Sequence, residues 1–330
     1  MDNLFSVRAL TASVNLIKPA PTLILDRVFT RKLRQLTDRF AWDILSHSER
    51  VLKNIEVHEP AQVADNQSFK TVIAKAPRFA EKRLINASDL NAMRAFGEQA
   101  NLELLMERIG REQMDMKRKI DLTREFMAAK ALSGQVIDDT GTVLVDYNFS
   151  VAQKPSLTGT NLWTNAASDP LKNIRAWKKL VSQAAGNITK WVAFCGSDAM
   201  DALMANTQAM ELLKYTQGGQ LAENGRILAF GGVEIQEYYG SYLDNTGARQ
   251  DLIPVTHFVL VGLAEDGFAE LTAPVVDFES EAGVGTGKPG EFFFSKSWKV
   301  DDPSGRWIKV EARPLPVILR PECIVYAKVV

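Results

Sequence analysis

Cysteine is scarce in this sequence. Its 330 residues include two cysteines, Cys195 and Cys323, which are too few for the disulfide framework of a small secreted protein. Both lie in apolar, strand-like stretches, which favours buried structural thiols in a protein of a reducing compartment. Gly196 and Ser197 follow Cys195 and would suit a nucleophile at a strand-to-helix turn, but no motif connects an activating histidine with this point.

Histidine is also rare, and the residue types that build active sites show no grouping. The three histidines, His47, His58 and His257, stand at no metal-ligand spacing with each other or with the cysteines. An enzyme would require converging acid, base or nucleophile groups, and the sequence contains no recognisable set. We therefore predict no catalytic residues, no cofactor, and no cofactor-binding or metal-binding residues.

Excess positive charge and long apolar runs are absent as well. The 39 lysines and arginines balance 40 aspartates and glutamates, and a net charge of −1 argues against a general nucleic-acid-binding surface. No apolar run approaches the ~18 residues of a membrane span, and no signal-peptide pattern opens the chain. A soluble, non-exported protein is expected. One basic cluster is compatible with a solvated face or with a partner contact: Arg27, Arg31, Lys32, Arg34 and Arg39.

The glycine-rich residues 279–290 suggest a phosphate-binding loop only superficially. Ala282 stands where the motif has glycine, and Pro289 replaces the Ser or Thr that would bind magnesium. No helix pattern follows, so we interpret the stretch as an ordinary loop.

The strongest pattern that is present is a long helix over residues 101–133. Apolar residues recur near helical spacing, and at 1.5 Å per residue the helix would span about 50 Å. Gly134 is a natural stop, and residues 136–147 indicate a hairpin. Two oppositely charged i,i+4 pairs are expected on the wetter face of the helix, Glu107 with Arg111 and Asp115 with Lys119.

An α/β-like unit follows. Asp169 and Pro170 suit the N-cap and first position of a helix. Ser197 is expected to cap a second helix, which continues through Leu213 and ends at Gly218-Gly219. Strands are predicted at residues 191–195, 227–230, 233–239 and 258–261.

The two ends of the chain and one excursion, the segment that contains residues 51–75, give the remaining predictions. Residues 1–38 lack a stable period. Leu10 to Val14 suit a short turn of helix, but Pro19 and Pro21 then favour extended chain, so we predict an extended arm. Strand patterns at residues 51–57 and 69–75 predict a long hairpin, which we expect to rest on another subunit because isolated hairpins are marginal in water. The apolar residues 307–330 predict a terminal strand, and we expect it to pack beneath the long helix.

Several short runs carry a resemblance to a known family. They are Lys296-Ser297-Trp298, Asp302-Pro303-Ser304-Gly305-Arg306-Trp307, Pro314-Leu315-Pro316 and Arg320-Pro321-Glu322, with Leu252-Ile253-Pro254, Phe258-Val259-Leu260-Val261-Gly262 and Pro289-Gly290-Glu291 before them. Together they resemble the lambda-type tailed-phage major capsid proteins, the capsid protein E family. The resemblance extends from about Arg27 to the end of the chain.

The resemblance implies an α+β fold of the Hong Kong 97 type. Its regions would be an N-terminal arm (1–38), an E-loop (39–85), a P-domain with the long spine helix (86–168), an A-domain (169–290) and a return into the P-domain (291–330).

The resemblance also implies a function and partners. The protein would be a major capsid protein that self-assembles into pentamers and hexamers of an icosahedral phage head, formed in the host bacterial cytoplasm. Partners would be copies of itself, a separate scaffold protein, a portal, a decoration protein in some cases, and packaged DNA bound non-specifically. The basic cluster would then face DNA or scaffold. The alternatives are a cytosolic α/β enzyme and a nucleic-acid-binding protein.

Overall fold

The structure is a computed structural model that describes residues 5–18, 22–45, 69–86, 101–211, 226–281, 283, 286–301 and 304–330. The helices bounded within these residues are α1 (Val7–Leu16), α2 (Leu23–Arg27), α3 (Asn101–Leu132), α4 (Pro170–Ala185) and α5 (Ser197–Ala205). The strands are β1 (Lys32–Arg34), β2 (Arg39–Leu45), β3 (Phe69–Lys75), β4 (Phe79–Asn86), β5 (Gln135–Ile137), β6 (Val143–Asp146), β7 (Lys190–Cys195), β8 (Arg226–Phe230), β9 (Val233–Glu237), β10 (Ser241–Leu243), β11 (Arg249–Asp251), β12 (His257–Leu263), β13 (Phe268–Thr272), β14 (Phe294–Val300), β15 (Gly305–Ala312), β16 (Pro314–Ile318) and β17 (Ile324–Lys328).

The chain divides into two compact units. The first unit comprises residues 1–40, 73–128 and 269–317, and the second comprises residues 41–72, 129–268 and 318–330. Both units are therefore assembled from segments that are distant in sequence.

The first unit contains an antiparallel sheet in the order β14-β15-β4. Trp298 pairs with Trp307, which in turn pairs with Leu84, so the register joins residues more than 200 positions apart. Ile308 on β15 and Met116 on α3 belong to one buried apolar cluster. This cluster is the core of the first unit.

The predicted long helix is confirmed, because α3 runs over residues 101–132 and Gly134 follows it with a φ of +102°. The pairing of Glu107 with Arg111 is also confirmed. The expected pairing of Asp115 with Lys119 is wrong. The partners that the structure shows for these two side chains lie on β4, where Lys119 binds Glu81 and Asp115 lies 3.6 Å from Arg83.

The prediction of an extended N-terminal arm is wrong for the described residues, because α1 and α2 are helices of the first unit. Ser6 caps α1 by accepting a hydrogen bond from the backbone N–H of Ala9. Leu10 and Val14, four residues apart on one face of α1, are buried in the same core cluster as Met116. A helix this short is marginal alone, so the packing of its apolar face stabilises it. Pro19 and Pro21 lie outside the described residues.

Polar side chains of α3 also bind the N-terminal segment. The Lys117 ammonium donates to the carbonyl oxygens of Val14, at 3.0 Å, and Ile17, both at the C-terminal end of α1. The Glu125 carboxylate accepts from the backbone N–H groups of Ile24 and Leu25 at the start of α2. Each interaction satisfies backbone groups that a helix end leaves without an internal partner and complements the helix dipole.

The second unit contains a five-stranded sheet in the order β17-β12-β7-β9-β8. This arrangement confirms the strands predicted around residues 191–195, 227–230, 233–239 and 258–261. Helix α4 begins as predicted, with the Asp169 carboxylate accepting from the backbone N–H of Lys172. Trp177 on α4 packs with Trp163 and with Phe258 on β12, at ring-centroid distances of 6.2 and 5.9 Å.

The predicted terminal strand is confirmed as β17. Strand β17 pairs antiparallel with β12 along an edge of the five-stranded sheet, with Ile324 opposite Val261. Beyond β17, the Trp163 backbone N–H donates to the carbonyl of Val329 at 3.0 Å. The end of the chain is therefore part of the second unit.

The expected Ser197 cap is also wrong. Helix α5 begins at Ser197 after an N-cap at Gly196, and the Val255 carbonyl accepts from the Ala199 N–H at 3.0 Å in place of a serine hydroxyl. A Cβ atom on Gly196 would lie 2.4 Å from the Val255 oxygen, so only glycine permits this approach. The helix does not continue unbroken, because Asn206 adopts an extended conformation and a new helical turn starts after it. Leu213 and Gly218-Gly219 lie outside the described residues.

Strands β2 and β3 form a separate two-stranded sheet. The predicted strand at residues 69–75 is confirmed as β3, whereas the one at residues 51–57 lies outside the described residues. The sequence patterns missed β2 as the partner of β3. They also missed β4, which immediately follows this hairpin and joins the sheet of the first unit.

Candidate interaction surfaces

The two cysteine thiols are buried within the second unit. Cys195 ends β7, and burial raises the pKa of its thiol well above the usual value. Burial likewise raises the pKa of Cys323 to about 12. Since the thiolate is the reactive form of cysteine, both side chains are inert apolar groups at neutral pH.

His257 is the one histidine among the described residues, and it lies in β12. Its Nδ1 atom is 3.1 Å from the Thr256 hydroxyl, and its ring packs against Tyr326 at a centroid distance of 4.9 Å. Burial lowers the pKa of His257, so the neutral imidazole is favoured. His47 and His58 lie outside the described residues.

The glycine-rich stretch is a loop that leads into a strand. Gly283 forms an isolated bridge with Val275, and the next element after the stretch is β14 instead of the helix that a phosphate-binding motif requires. Ala282, Val284 and Gly285 lie outside the described residues.

The basic cluster extends from Arg27, at the end of α2, to Arg39, at the start of β2. Its central strand, β1, pairs parallel with β13, with Lys32 opposite Glu270. The side chains of Lys32 and Arg34 are exposed, and the Arg34 guanidinium lies 5.9 Å from the centre of the Phe292 ring. The strand therefore holds its backbone in a sheet while its cationic groups are accessible to solvent. Arg39 is likewise exposed, at the start of β2.

A groove of about 490 Å³ lies beside α1 in the first unit. Charges of both signs line it, among them Arg8, Arg34, Glu281 and Glu291. Burial, and then the nearby charge of Glu281, raise the pKa of Glu291. The described residues that line the groove form an electrostatically mixed surface and include no converging set of catalytic groups.

An apolar tip is presented by the loop that follows β13. Val276 and Phe278 are 62% and 109% exposed, respectively, whereas the Asp277 carboxylate between them is nearly buried. The carboxylate lies 2.8 Å from the Lys296 ammonium and 3.2 Å from that of Lys309. The loop thus holds one charged side chain inward and two apolar side chains outward.

The excursion formed by β2 and β3 also exposes apolar surface. Ile73 on β3 is 70% exposed, while the Thr71 hydroxyl donates to the Asp43 carboxylate across the pair at 2.6 Å. A two-stranded sheet of this kind has little core of its own.

A family model described as phage major capsid protein E matches residues 6–329, nearly the whole chain. The chain belongs to the phage major capsid protein E family. Membership in this family gives the capsid protein a structural, capsid-forming role, which makes the virion its place of action. Comparison with curated protein sequences found no match.

Solved structures share the fold of this capsid protein. A structure described as a prophage capsid protein from E. coli CFT073 aligns over 98% of this chain and 99% of its own, with 16% identity and a TM-score of 0.66. A phage-related protein from Bordetella bronchiseptica RB50 aligns over 97% of this chain and 96% of its own, with 14% identity and a TM-score of 0.60. The capsid of cyanophage P-SCSP1u aligns over 94% of this chain and 89% of its own, with 9% identity and a TM-score of 0.55. The predicted α+β fold of the Hong Kong 97 type is confirmed.

For a capsid protein, the relevant sites are the surfaces that meet other molecules. The sequence patterns indicated two candidate surfaces of this kind, the excursion around β3 and the basic cluster, but they did not indicate the exposed tip at Val276 and Phe278. Its sequence signal is two apolar residues that flank an aspartate just before a glycine-rich stretch. Such a pattern is also common in buried loops, so only the structure separates the inward and outward side chains.

Proposed function

We propose that this chain is the shell subunit of an icosahedral phage head that encloses DNA, and that it self-assembles into pentamers and hexamers. The match of the capsid protein E family model to residues 6–329 carries the proposal. The function is association of subunits, and no catalytic step is part of it. The described side chains give this proposal physical support, because both thiols are buried and the exposed groups form apolar and mixed-charge surfaces.

We further propose five functional regions along the chain. They are an N-terminal arm (1–38), an E-loop (39–85), a P-domain (86–168), an A-domain (169–290) and a return into the P-domain (291–330). In this scheme the E-loop extends over a neighbouring subunit, and A-domains meet at the centre of each pentamer or hexamer. Helix α1 packs in the core of the first unit. The E-loop is therefore the segment that extends furthest onto a neighbouring subunit in this scheme.

The proposed partners are copies of the chain itself, a separate scaffold protein, a portal and, on some shells, a decoration protein. Assembly is proposed to take place in the host bacterial cytoplasm. Packaged DNA would contact the shell non-specifically, and the exposed Lys32 and Arg34 are suitable groups for such contacts because they can neutralise phosphates. Among the described residues, no helix is long and apolar enough to cross a membrane.

Sedimentation velocity of the purified chain, expressed with and without a scaffold protein from the same phage, tests this function. We expect fast-sedimenting shells or rings of five and six copies in at least one of the two preparations. A single slow species of one-subunit size in both preparations would contradict the proposal.

A further inference from the structure

We propose that the apolar tip formed by Val276 and Phe278 is a self-association contact, which a second copy of this chain covers in the shell. The inference rests on the proposed function and adds to it a named contact and its partner. It starts from the exposure of these two side chains, since the Phe278 side chain is fully exposed in the single chain.

Hydrogen bonds and ion pairs within the first unit fix the loop that carries the tip. The Arg313 guanidinium, itself buried, donates to the Pro274 carbonyl at 2.7 Å where the loop begins. The bridge between Val275 and Gly283 closes the loop. Between these points the Asp277 carboxylate binds Lys309, as well as Lys296, on the adjacent sheet.

These contacts continue as a chain of alternating charges beneath the loop. The Lys309 ammonium also lies 2.9 Å from the Glu311 carboxylate, which accepts two hydrogen bonds of 2.8 Å from Arg78. Asp277, Lys309 and Glu311 are nearly buried in this network, whereas the Arg78 side chain is exposed. Buried charged groups that are paired have one favoured arrangement. The tip is therefore ordered before it meets a partner, so association need not restrict a mobile loop.

The surroundings of the tip match the anatomy of a protein interface. A hollow of about 200 Å³ adjoins Phe278 and is lined also by Val276, Ser280 and Thr286. The hollow offers space beside the exposed ring for an apolar side chain of the partner. An aromatic side chain in such a setting, with polar groups around it, is the residue type that dominates binding at interfaces.

The charges beside the tip favour a second copy as the occupant. Glu279, whose side chain is 60% exposed, lies 4.0 Å from Lys296, so both signs of charge adjoin the apolar centre. A mixed rim of this kind can meet an identical rim without a like-charge clash, and the net charge of −1 gives little repulsion between copies. DNA is disfavoured as an occupant, because a phosphate backbone gains nothing from an exposed apolar group next to carboxylates.

The first test is substitution of Phe278 in a chain that assembles. Phe278→Ala should raise the subunit concentration needed for shell formation by about tenfold or more, in the range of an interface hot spot. Phe278→Leu should largely restore assembly, because it returns apolar volume. Val151→Ala, at a side chain that is 89% exposed in the second unit, is the matched control and should assemble normally. Thermal unfolding of the unassembled Phe278→Ala chain should be unchanged, because the ring is already in solvent.

The second test measures whether position 278 becomes covered. In a Phe278→Cys chain the new thiol should react quickly with a maleimide, because Cys195 and Cys323 are buried. We expect fast labelling of unassembled subunits and strong protection in shells made of this chain alone. Equal labelling in both forms, or protection that requires a different phage protein, would overturn the inference while leaving the proposed function intact. If the unmodified chain forms no shells under any condition, the proposed function fails and the inference fails with it.

Discussion

A buried cluster of charged residues in the first unit, Arg124 with Glu270 and Asp121, should strongly affect stability. The Arg124 guanidinium on α3 donates to both oxygens of Glu270 at 2.7 Å and to Asp121 at 2.6 Å, and both carboxylates are fully buried. Burial alone would lower the pKa of Arg124, but the hydrogen bonds and charges of the two carboxylates outweigh it and raise the pKa. A buried pair adds little over an apolar replacement of all its members, yet the loss of one member leaves an uncompensated charge.

Removal of the Arg124 guanidinium should therefore be strongly destabilising. We expect Arg124→Met to reduce the free energy of unfolding by about 3–5 kcal/mol, because the buried Glu270 carboxylate would lose the guanidinium that binds both of its oxygens. Arg111→Met is the matched control on the same helix. Arg111 and its partner Glu107 are both exposed, and an exposed pair contributes about 0–1 kcal/mol. Urea denaturation of the two variants measures the difference, and equal midpoints would show that the buried cluster carries no special energy.

The contribution of the Asp277 charge to stability should depend on pH. Burial alone would raise the pKa of Asp277, but hydrogen bonds from Lys296, the Glu279 backbone and Lys309 outweigh it and lower the pKa below its ordinary 3.8. A group whose pKa is lowered in the folded state contributes stability that is complete above its unfolded pKa. That contribution is lost as the pH falls through the lowered folded value.

Asp277→Asn tests this pH dependence. At neutral pH the variant should be less stable than the unmodified chain, because Lys296 and Lys309 lose their shared carboxylate. The difference should shrink as the pH falls below the ordinary aspartate value of 3.8, where the unmodified chain also loses the charge. Thermal unfolding at a series of pH values measures it, and a difference that is independent of pH would show that the charge of Asp277 does not stabilise the loop.

At the scale of elements, the end of the chain, β17 and the residues after it, illustrates how a terminal segment supports a unit whose other segments lie far away in sequence. Ile324, Val325 and Val329 are fully buried. Burial of a side chain of this size is worth about 1.5–3 kcal/mol, so the three together contribute roughly 5–9 kcal/mol. A sum of this size is comparable to the whole stability of a typical domain, about 5–15 kcal/mol.

Truncation after Cys323 should accordingly damage the second unit first. We expect hydrogen exchange to increase most in β12, which loses its hydrogen-bonded partner, and next in β7. Strands β14 and β15 of the first unit, which pair with each other, serve as the internal reference. Exchange in β12 that stays as slow as in the full chain would contradict the assigned pairing.

The elements that were predicted correctly are those with a local signal. The period of α3, the Asp169-Pro170 start of α4 and the apolar run of β7 each lie within one stretch of sequence. The sequence could not reveal the partner of β17, because an apolar strand fits any sheet edge and the choice of β12 depends on the whole fold. The full length of helix α1 was missed for a related reason: the pattern indicated only a short turn at Leu10 to Val14, and packing of these two side chains in the core stabilises the helix more than its own propensity does.

The same division between local and non-local information applies to the candidate surfaces. The strand pattern of β3 identified the excursion, and composition identified the basic cluster around Lys32. The outward direction of Phe278 was not predictable, because it follows from Asp277 binding two lysines that lie 19 and 32 positions further along the chain. Resemblance to the family supplied the function, which no single residue pattern encodes.

For the whole molecule, the excursion between β2 and β3 should be required for assembly and not for folding. Replacement of residues 59–68 by a short Gly-Ser turn should leave a soluble, folded subunit that does not close shells, because the substitution leaves β2, β3 and the buried residues described above unchanged. Circular dichroism and sedimentation velocity measure folding and assembly separately. Normal shell yield would remove the proposed role of the excursion, and an unfolded product would show that the segment stabilises its own chain.

Cryo-electron microscopy of the assembled product can show whether this chain is a shell subunit. We expect closed icosahedral shells in which this chain forms every ring of five and six, with its residues between β2 and β3 lying on a neighbouring copy. Preparations that contain only dispersed single subunits, with or without a scaffold protein, would contradict it.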